Sequence, residues 1–400
     1  MTKIMVIAGG DWQIELIKQA KKMGYYVICS NLYEDSPAFA YADACEVANV
    51  LDKEKNLAIA RKYMPDAVIS DQSDIAVPTV AYLNERLGLK GIGTGLANLF
   101  TDKSLQRDFC RKNNIAIPDY KLCRTPEDAS DMLAKYGKII IKPIDSQSSR
   151  GVFTVENMRQ LMDKYAETVS WSNRKKVFLA EEYIDGDEFT IDGLVINGRH
   201  YPLCISVKEM YPQNHNISRM QSYSYYSDKH DYDLLRRTNR ELIEKAGLPM
   251  GLTHSEYKAH NGKFYLIEAG ARGGGSNLSG KIVPFMSGVN NYEYLIKEAL
   301  GESVDEDAVK NNVFNPEKYV VMRFFDFGEG TVKRVHGKEL LSEHPMMIDY
   351  QLKIEPGDIL HQPAYGRLRP GHFIIGGEGK EKVLAEAEKI INSVRVEFES

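Results

Sequence analysis

The chain has 400 residues, 43% of them hydrophobic and 27% charged, an ordinary globular composition with room for roughly two to four structural units. A formal net charge of −5 argues against a non-specific nucleic-acid binder, and no apolar run reaches the length that crosses a bilayer. The N-terminus lacks the order of a signal peptide, and five scattered cysteines without CxxC spacing fit a reducing, cytoplasmic setting better than a zinc site or a disulfide frame.

Lys3–Ala8 predicts a buried strand, turned by Gly9-Gly10 into a helical stretch from about Trp12 to Met23 and a second strand at Tyr25–Cys29. With a strand at Ala67–Ser70, a helix at Val77–Leu87 and the glycines of 91–95, this predicts a small doubly wound parallel sheet over residues 1–97. Ser104–Asn113 is helical. Strands at Ile139–Pro143, Val177–Tyr183 and Glu188–Val195 predict an antiparallel α+β unit at roughly 115–200, which with its leading helix takes the range 98–203. Residues 206–232, rich in Tyr, Ser, Asn and His, read as a long loop. Helix Tyr232–Ala246, strands Gly251–Lys258 and Lys263–Glu268 and helix Tyr292–Leu300 make a third unit, 204–312. Strands at Tyr319–Phe325, Thr331–Val335 and His372–Ile375 and a last helix, Glu381–Ser393, make a smaller C-terminal unit, 313–400.

Three places could carry chemistry. Lys142 ends an apolar strand and is followed by Pro143 and a small-residue loop with Ser148, Ser149 and Gly151. A lysine so fixed can bind polyphosphate as a point charge while the loop's N–H groups fold over it; alone, it would equally read as a surface lysine beside a polar turn. The run Glu181-Glu182-Tyr183-Ile184, with Glu188 beyond it, could offer backbone groups to an adenine and a carboxylate to a ribose, or simply be a solvated acidic loop. The third is sharper. Period-two alternation sets His254, Glu256 and Lys258 on one face of their strand, and Glu268, Gly270 and Arg272 on one face of the next. Two carboxylates converging from adjacent strands suit a hard divalent cation such as Mg²⁺ and repel each other without one.

Register decides that idea. A two-residue type I′ turn at Asn261-Gly262 sets Glu256 opposite Ile267 and turns the carboxylates to opposite faces. A three-residue loop, or a bulge at Gly262, sets Glu256 opposite Glu268.

In this order and spacing, Lys103, Lys142 with its loop, Glu181-Glu182-Tyr183-Ile184, Glu188, Glu256 and the run Glu268–Arg272 resemble the ATP-grasp superfamily over nearly the whole chain. The resemblance implies an α/β and α+β fold: an N-terminal doubly wound preATP-grasp domain, a small lid subdomain, a central antiparallel-sheet domain and a C-terminal cap. It implies that Lys103 and Lys142, with Ser148, Ser149 and Gly151, meet ATP phosphates, that Glu181 to Ile184 form the adenine hinge, and that Glu188 holds the ribose. It implies that Glu256 and Glu268 bind Mg²⁺ or Mn²⁺, Glu268 bridging two ions, and that Arg272 and Lys142 serve catalysis. The family usually carries an Asn two residues after the second metal Glu; Gly270 stands there, and Asn277, beyond a triple glycine, is the candidate replacement. The C-terminal unit, with Arg369-Pro370-Gly371-His372, is similar to the cap of amino-acid ligases and biotin carboxylase-like members.

The activity this implies is ATP-dependent carboxylate–amine ligation through an acyl phosphate, on small-molecule substrates, in the cytoplasm, with a homodimer as the expected assembly and neither nucleic acid nor membrane as partner. The strand-end loops Gly9-Gly10 and Asp71–Asp74 are candidate substrate contacts. Two rivals are a bicarbonate-activating carboxylase or carbamoyl-phosphate-type enzyme, and a nucleotide-binding sensor or subunit without catalysis, which Gly270 would favour.

Overall fold

The computed structural model describes residues 1–172, 176–361 and 366–399. Apolar strands Lys3–Ile7, Tyr26–Asn31, Ala44–Val47 and Ala67–Ile69 form a parallel sheet, with Lys3–Ile7 between Tyr26–Asn31 and Ala67–Ile69 and Ala44–Val47 on the outer edge. The buried faces of the central strands (Ile4 to Ile7, Val27 to Cys29) demand cover on both sides, as parallel sheets do. Helices Ile14–Lys22, Lys53–Tyr63 and Val77–Leu87 belong to this unit.

A second, antiparallel sheet runs Tyr120–Cys123, Phe178–Glu182, Ile139–Pro143, Phe153–Val155. It ends at Glu182. The strand Glu188–Ile196, expected in the same unit, instead pairs with Gly251–His260 and Arg199–Tyr211 in an eight-stranded sheet. The expected long loop at 206–232 is a hairpin: Arg199–Tyr211 and Asn214–Tyr223 pair antiparallel, with register shifts near Met210. Its Tyr211 and Tyr223 are buried in the pleated surface, where aromatic residues favour strands despite weak periodicity. The C-terminal unit is likewise not separate, because Lys318–Phe324, Gly371–Glu378 and Met347–Leu352 extend the same large sheet. A three-stranded sheet with Gly330–His336 at its middle completes the chain.

The edge of the large sheet is Lys263–Gly270, and helix Lys103–Lys112 closes it. Asp102 caps that helix, its carboxylate accepting from the N–H groups of Ser104 and Leu105. Gln106 clamps the strand backbone, donating to the Ala269 carbonyl at 2.6 Å and accepting from the Ala269 N–H at 3.1 Å. An edge that would otherwise expose unpaired backbone is thereby satisfied.

Candidate active site

The turn between the two key strands has two residues, Asn261 and Gly262, both in the left-handed region at φ 48° and 72° with His260 opposite Lys263. From there the register sets Tyr257 opposite Leu266. It then shifts by one, so that Glu256 lies opposite Glu268, Ser255 opposite Ala269 and His254 opposite Gly270. The register is thus reached by a bulge at Ile267, and neither by a three-residue loop nor by a bulge at Gly262, the two routes read from the sequence. Its physical cause is visible: the displaced Ile267 carbonyl accepts from Arg107 at 2.7 Å and lies 3.5 Å from the Lys142 ammonium. A tight turn and a bulge six residues later bring the two carboxylates together.

Both line a cleft of about 810 Å³, counted with its open mouth, between the small sheet and the large one. Lys103, Lys142, Glu182, Tyr183, Ile184, Glu188 and Ser149 share its walls. Lys103, buried at the start of its helix, donates to the Ser146 carbonyl at 2.6 Å and pairs with Glu268 at 2.7 Å. Lys208 pairs with Glu188 at 2.8 Å and with Glu256 at 2.7 Å. Burial works against the Glu256 charge, but Lys208 and His254 outweigh it and hold this carboxyl well below the usual range. His254 in turn lies 2.9 Å from Asp192. Burial alone would lower its pKa, yet Asp192 and Glu256 carry it up to about 9.

Lys142 is nine-tenths buried, 2.6 Å from Glu181. Burial pushes its pKa down to about 8, the Glu181 carboxylate opposing the shift. Glu181 also takes a two-pronged contact from Arg107, at 2.8 and 3.3 Å. Its backbone lies inside the small sheet, between Tyr120 and Ile140. The Glu181 side chain is therefore an internal counter-ion for Lys142 and Arg107, while all four residues of the expected hinge, Glu181 to Ile184, line the cleft. Tyr183 has Lys138 over its ring at 4.1 Å and Lys258 at 5.3 Å. In the small-residue loop, Ser148, Ser149 and Gly151 all take positive φ. Ser149 Oγ donates to the Asn216 carbonyl at 2.9 Å. A Cβ at Gly151 would meet Trp171 at 2.9 Å and Pro143 at 3.0 Å.

Two predicted residues sit differently from the rest. Arg272 is held by the first sheet's loop, donating through Nε and Nη2 to the two oxygens of Asp74 at 2.9 and 2.7 Å. Asn277 donates through Nδ2 to Asp349 at 2.7 Å, and its N–H donates to Gln72 Oε1 at 3.0 Å. These contacts tie it to the first and last parts of the chain, not to the glutamate pair. The loop from Arg272 to Asn277 is pinned further by Asp71, which accepts from the Gly273 N–H at 2.6 Å and from the Tyr292 hydroxyl at 2.8 Å. Asp192 accepts from the Gly274 N–H at 3.2 Å. Asp71 and Gln72, both buried, and the partly buried Asp74 thus act as anchors on this loop. Lys208 and Arg107 were not singled out beforehand. The signal for Lys208 was lost with the unrecognised hairpin. Arg107 lies four residues after Lys103, on the same helical face.

The donor set fits a divalent cation. Two carboxylates face the cleft, Glu268 paired with Lys103 and Glu256 with Lys208, which it shares with Glu188, and Mg²⁺ characteristically takes one or two carboxylates and completes its shell with phosphate oxygens. Among the described residues, no group of three or more His, Cys, Asp or Glu is placed to hold a metal ion.

Residues 136–279 match the ATP-grasp domain family, and residues 323–399 match L-amino acid ligase C-terminal domain 2. The formate-dependent phosphoribosylglycinamide formyltransferase of Sulfolobus acidocaldarius is 28% identical over 231 residues, 56% of this chain and 56% of that one. The chain matches about half the length of such curated relatives. In structure it is similar to an L-amino acid ligase from Bacillus licheniformis, with a TM-score of 0.84 at 20% identity, covering 100% of this chain and 99% of that one. It is also similar to a Hydrogenobacter thermophilus biotin carboxylase domain crystallised with MgADP and bicarbonate, with a TM-score of 0.77 at 16% identity, covering 99% and 90%. At these identities the structural likeness concerns the fold.

Proposed function

We propose that this chain, an ATP-grasp protein, is an ATP-dependent ligase that joins a small-molecule carboxylate to an amine, releasing ADP and phosphate. One observation carries the reading: the bulge at Ile267 sets Glu256 opposite Glu268, in the same cleft as Lys103 and Lys142.

Glu256 and Glu268 would hold Mg²⁺, which when bound supplies charge neutralisation for phosphoryl transfer. The chain's own groups do the remainder. Lys142 and Lys103 reach the cleft as buried cations and would bind phosphate oxygens. Glu181 and Arg107 keep Lys142 at its post. The N–H groups of the loop carrying Ser148, Ser149 and Gly151 would close over the phosphates and exclude water from the activated carboxylate. Glu182, Tyr183 and Ile184 would line the base, and Glu188, steered by Lys208, would accept from the ribose hydroxyls. Arg272, aligned by Asp74 and within the field of Glu268, would meet the charge that develops on the carboxylate. No side-chain nucleophile is required; the amine displaces phosphate directly.

The C-terminal match to an L-amino acid ligase domain supports an amino acid as one substrate. Five free cysteines and a nucleotide substrate support a cytoplasmic location, and among the described residues no helix is long and apolar enough to cross a membrane. A homodimer belongs to the same proposal, and sedimentation would read it.

The test is incubation with Mg-ATP and pooled amino acids, following ADP release and product mass. A new amide mass with stoichiometric ADP is expected, and hydroxylamine should trap the activated acid as a hydroxamate. ADP release that requires bicarbonate instead, or nucleotide binding with no acid-dependent turnover, would overturn the ligase reading.

A further inference from the structure

The small-residue loop before Gly151 is held at its base and at its tip by different means. At the base, Lys103 donates to the Ser146 carbonyl at 2.6 Å, and Arg150 Nε donates to the Gln147 carbonyl at 3.0 Å. At the tip, Ser148 and Ser149 take φ of 60° and 58°, a left-handed backbone that residues with a Cβ enter at a cost. Two distant parts of the chain hold the tip there. Ser149 Oγ donates to the Asn216 carbonyl of the hairpin at 199–223, at 2.9 Å. The Gly366 N–H donates to the Ser148 carbonyl at 3.4 Å.

One side chain ties those two parts to each other. Arg369 donates through Nε to the Gly366 carbonyl at 2.7 Å and through Nη1 to the Ser218 carbonyl, two residues from Asn216, at 2.8 Å. Its guanidinium lies over the Phe324 ring, 3.3 Å from the centroid. It pairs with no carboxylate among the described residues. Burial pushes its pKa down to about 10, with Tyr211 opposing. The nearby His372 adds no counter-charge, since burial and then the guanidinium push its pKa down to about 4. An arginine that gives its donors to backbone carbonyls, without an ion pair, fixes the path of the chain.

We infer that Arg369 is a positioning residue for the phosphate loop: by fastening Gly366 to the hairpin, it keeps the tip at Ser148 and Ser149 in place before nucleotide arrives. The inference rests on the reading that this loop closes over ATP phosphates. It gives the C-terminal segment a part in nucleotide binding that needs no contact with the ligand, because a loop ordered beforehand lowers the cost of binding. A lysine cannot take over, since a point charge lacks the fork that reaches both carbonyls.

Two measurements on the full chain test it. Hydrogen exchange without ligand should be faster in Arg369→Lys at residues 146–151 and 214–218 together, with the first sheet unchanged. Calorimetric titration should show Mg-ATP binding weakened about tenfold, the lower range for a hydrogen bond from a charged donor. Adenosine binding should stay as in the native chain, because adenosine offers the loop no phosphate. Ser149→Ala releases the tip from the hairpin, so its effect on Mg-ATP binding combined with Arg369→Lys should fall short of the product of the two. Should Arg369→Lys fail to fold, Gly366→Pro removes the N–H that meets Ser148, leaves the guanidinium in place, and should give the same loss for Mg-ATP and faster exchange at 146–151. Unchanged exchange at 146–151 in the variant that folds, equal losses for Mg-ATP and adenosine, or independent effects in the double variant would each overturn the inference and leave the nucleotide site standing. A native chain that does not bind Mg-ATP would overturn the reading of the loop and this inference with it.

Discussion

The two sheets that face each other across the cleft each bring glutamate to it, and they treat it in opposite ways. On the small sheet, Glu181 is closed in: Arg107 and Lys142 hold it from two sides, and its side chain is 3% exposed. On the large sheet, Glu256 and Glu268 remain 25% and 31% exposed, each touched by one lysine that arrives from another element. A carboxylate enclosed by cations organises its neighbours, whereas a pair left open toward a cleft is available to an incoming ion. The same residue type thus serves positioning on one wall and binding on the other, and burial is what separates the two.

The largest effect expected from this contrast is on stability. Glu181→Gln leaves two buried cations without their shared counter-charge, and breaking such a pair from one side costs about 3–5 kcal/mol. Denaturant unfolding should show that loss. Glu268→Gln should do the reverse in proportion, costing less stability because this carboxylate is partly exposed and has only Lys103 as partner, and lowering ATP turnover about a hundredfold or more, because cation-borne charge stabilisation is worth several kcal/mol at the transition state. If the two variants exchange phenotypes, the assignment of roles to the two walls fails.

How far this contrast could be read from the sequence differs between the walls. The acidic run at 181–188 was visible, but its sidedness was not: whether Glu181 points outward to a ligand or inward to Arg107 depends on a helix contributed some seventy residues earlier. The Asn261-Gly262 turn was legible because only a few residue pairs tolerate two left-handed positions in succession. The bulge at Ile267 was not, since a bulge has no compositional mark when a distant Arg107 and Lys142 hold its displaced carbonyl. The hairpin at 199–223 was missed for a related reason. Its first strand passes from a fully buried run at Leu203–Ser206 to half-buried residues, and the pairing is interrupted by register shifts near Met210, so no alternation runs the length of the hairpin. With it went Lys208, the cation that links Glu188 to Glu256. By contrast, helices Val77–Leu87 and Tyr232–Ala246 stand where their periodicity put them, because their apolar stripes and glycine ends are local signals.

A subtler effect is expected at Lys142. With its pKa pushed down to about 8 by burial, this lysine is charged below that pH and neutral above it. Nucleotide phosphates require the charged form, so the KM for ATP should rise as pH passes upward through 8, by up to about tenfold per unit once deprotonation dominates. Bound phosphate favours the ammonium, so kcat at saturation should show its break at a higher pH than kcat/KM. Lys142→Arg retains charge over this range and should flatten the KM profile even where it lowers turnover. A wild-type profile flat from pH 7 to 9.5 would mean that Lys142 does not meet the phosphates.

The smallest effect concerns the segment that leaves the small sheet for the large one. The Tyr183 ring carries Lys138 from the former and Lys258 from the latter, so it is a point where the two walls share one residue. Each cation–π contact at a partly exposed site is worth about 0.5–1 kcal/mol. Removing the ring with Tyr183→Ala should therefore weaken ATP binding by about three- to tenfold, through loss of order in the hinge and not through loss of a ligand charge. Tyr183→Phe keeps the ring and both lysines in place and should bind ATP as the native chain does. Equal damage from both substitutions would shift the role to the phenolic hydroxyl. It would also mean that the open wall and the closed wall meet the nucleotide separately, with no shared aromatic step between them.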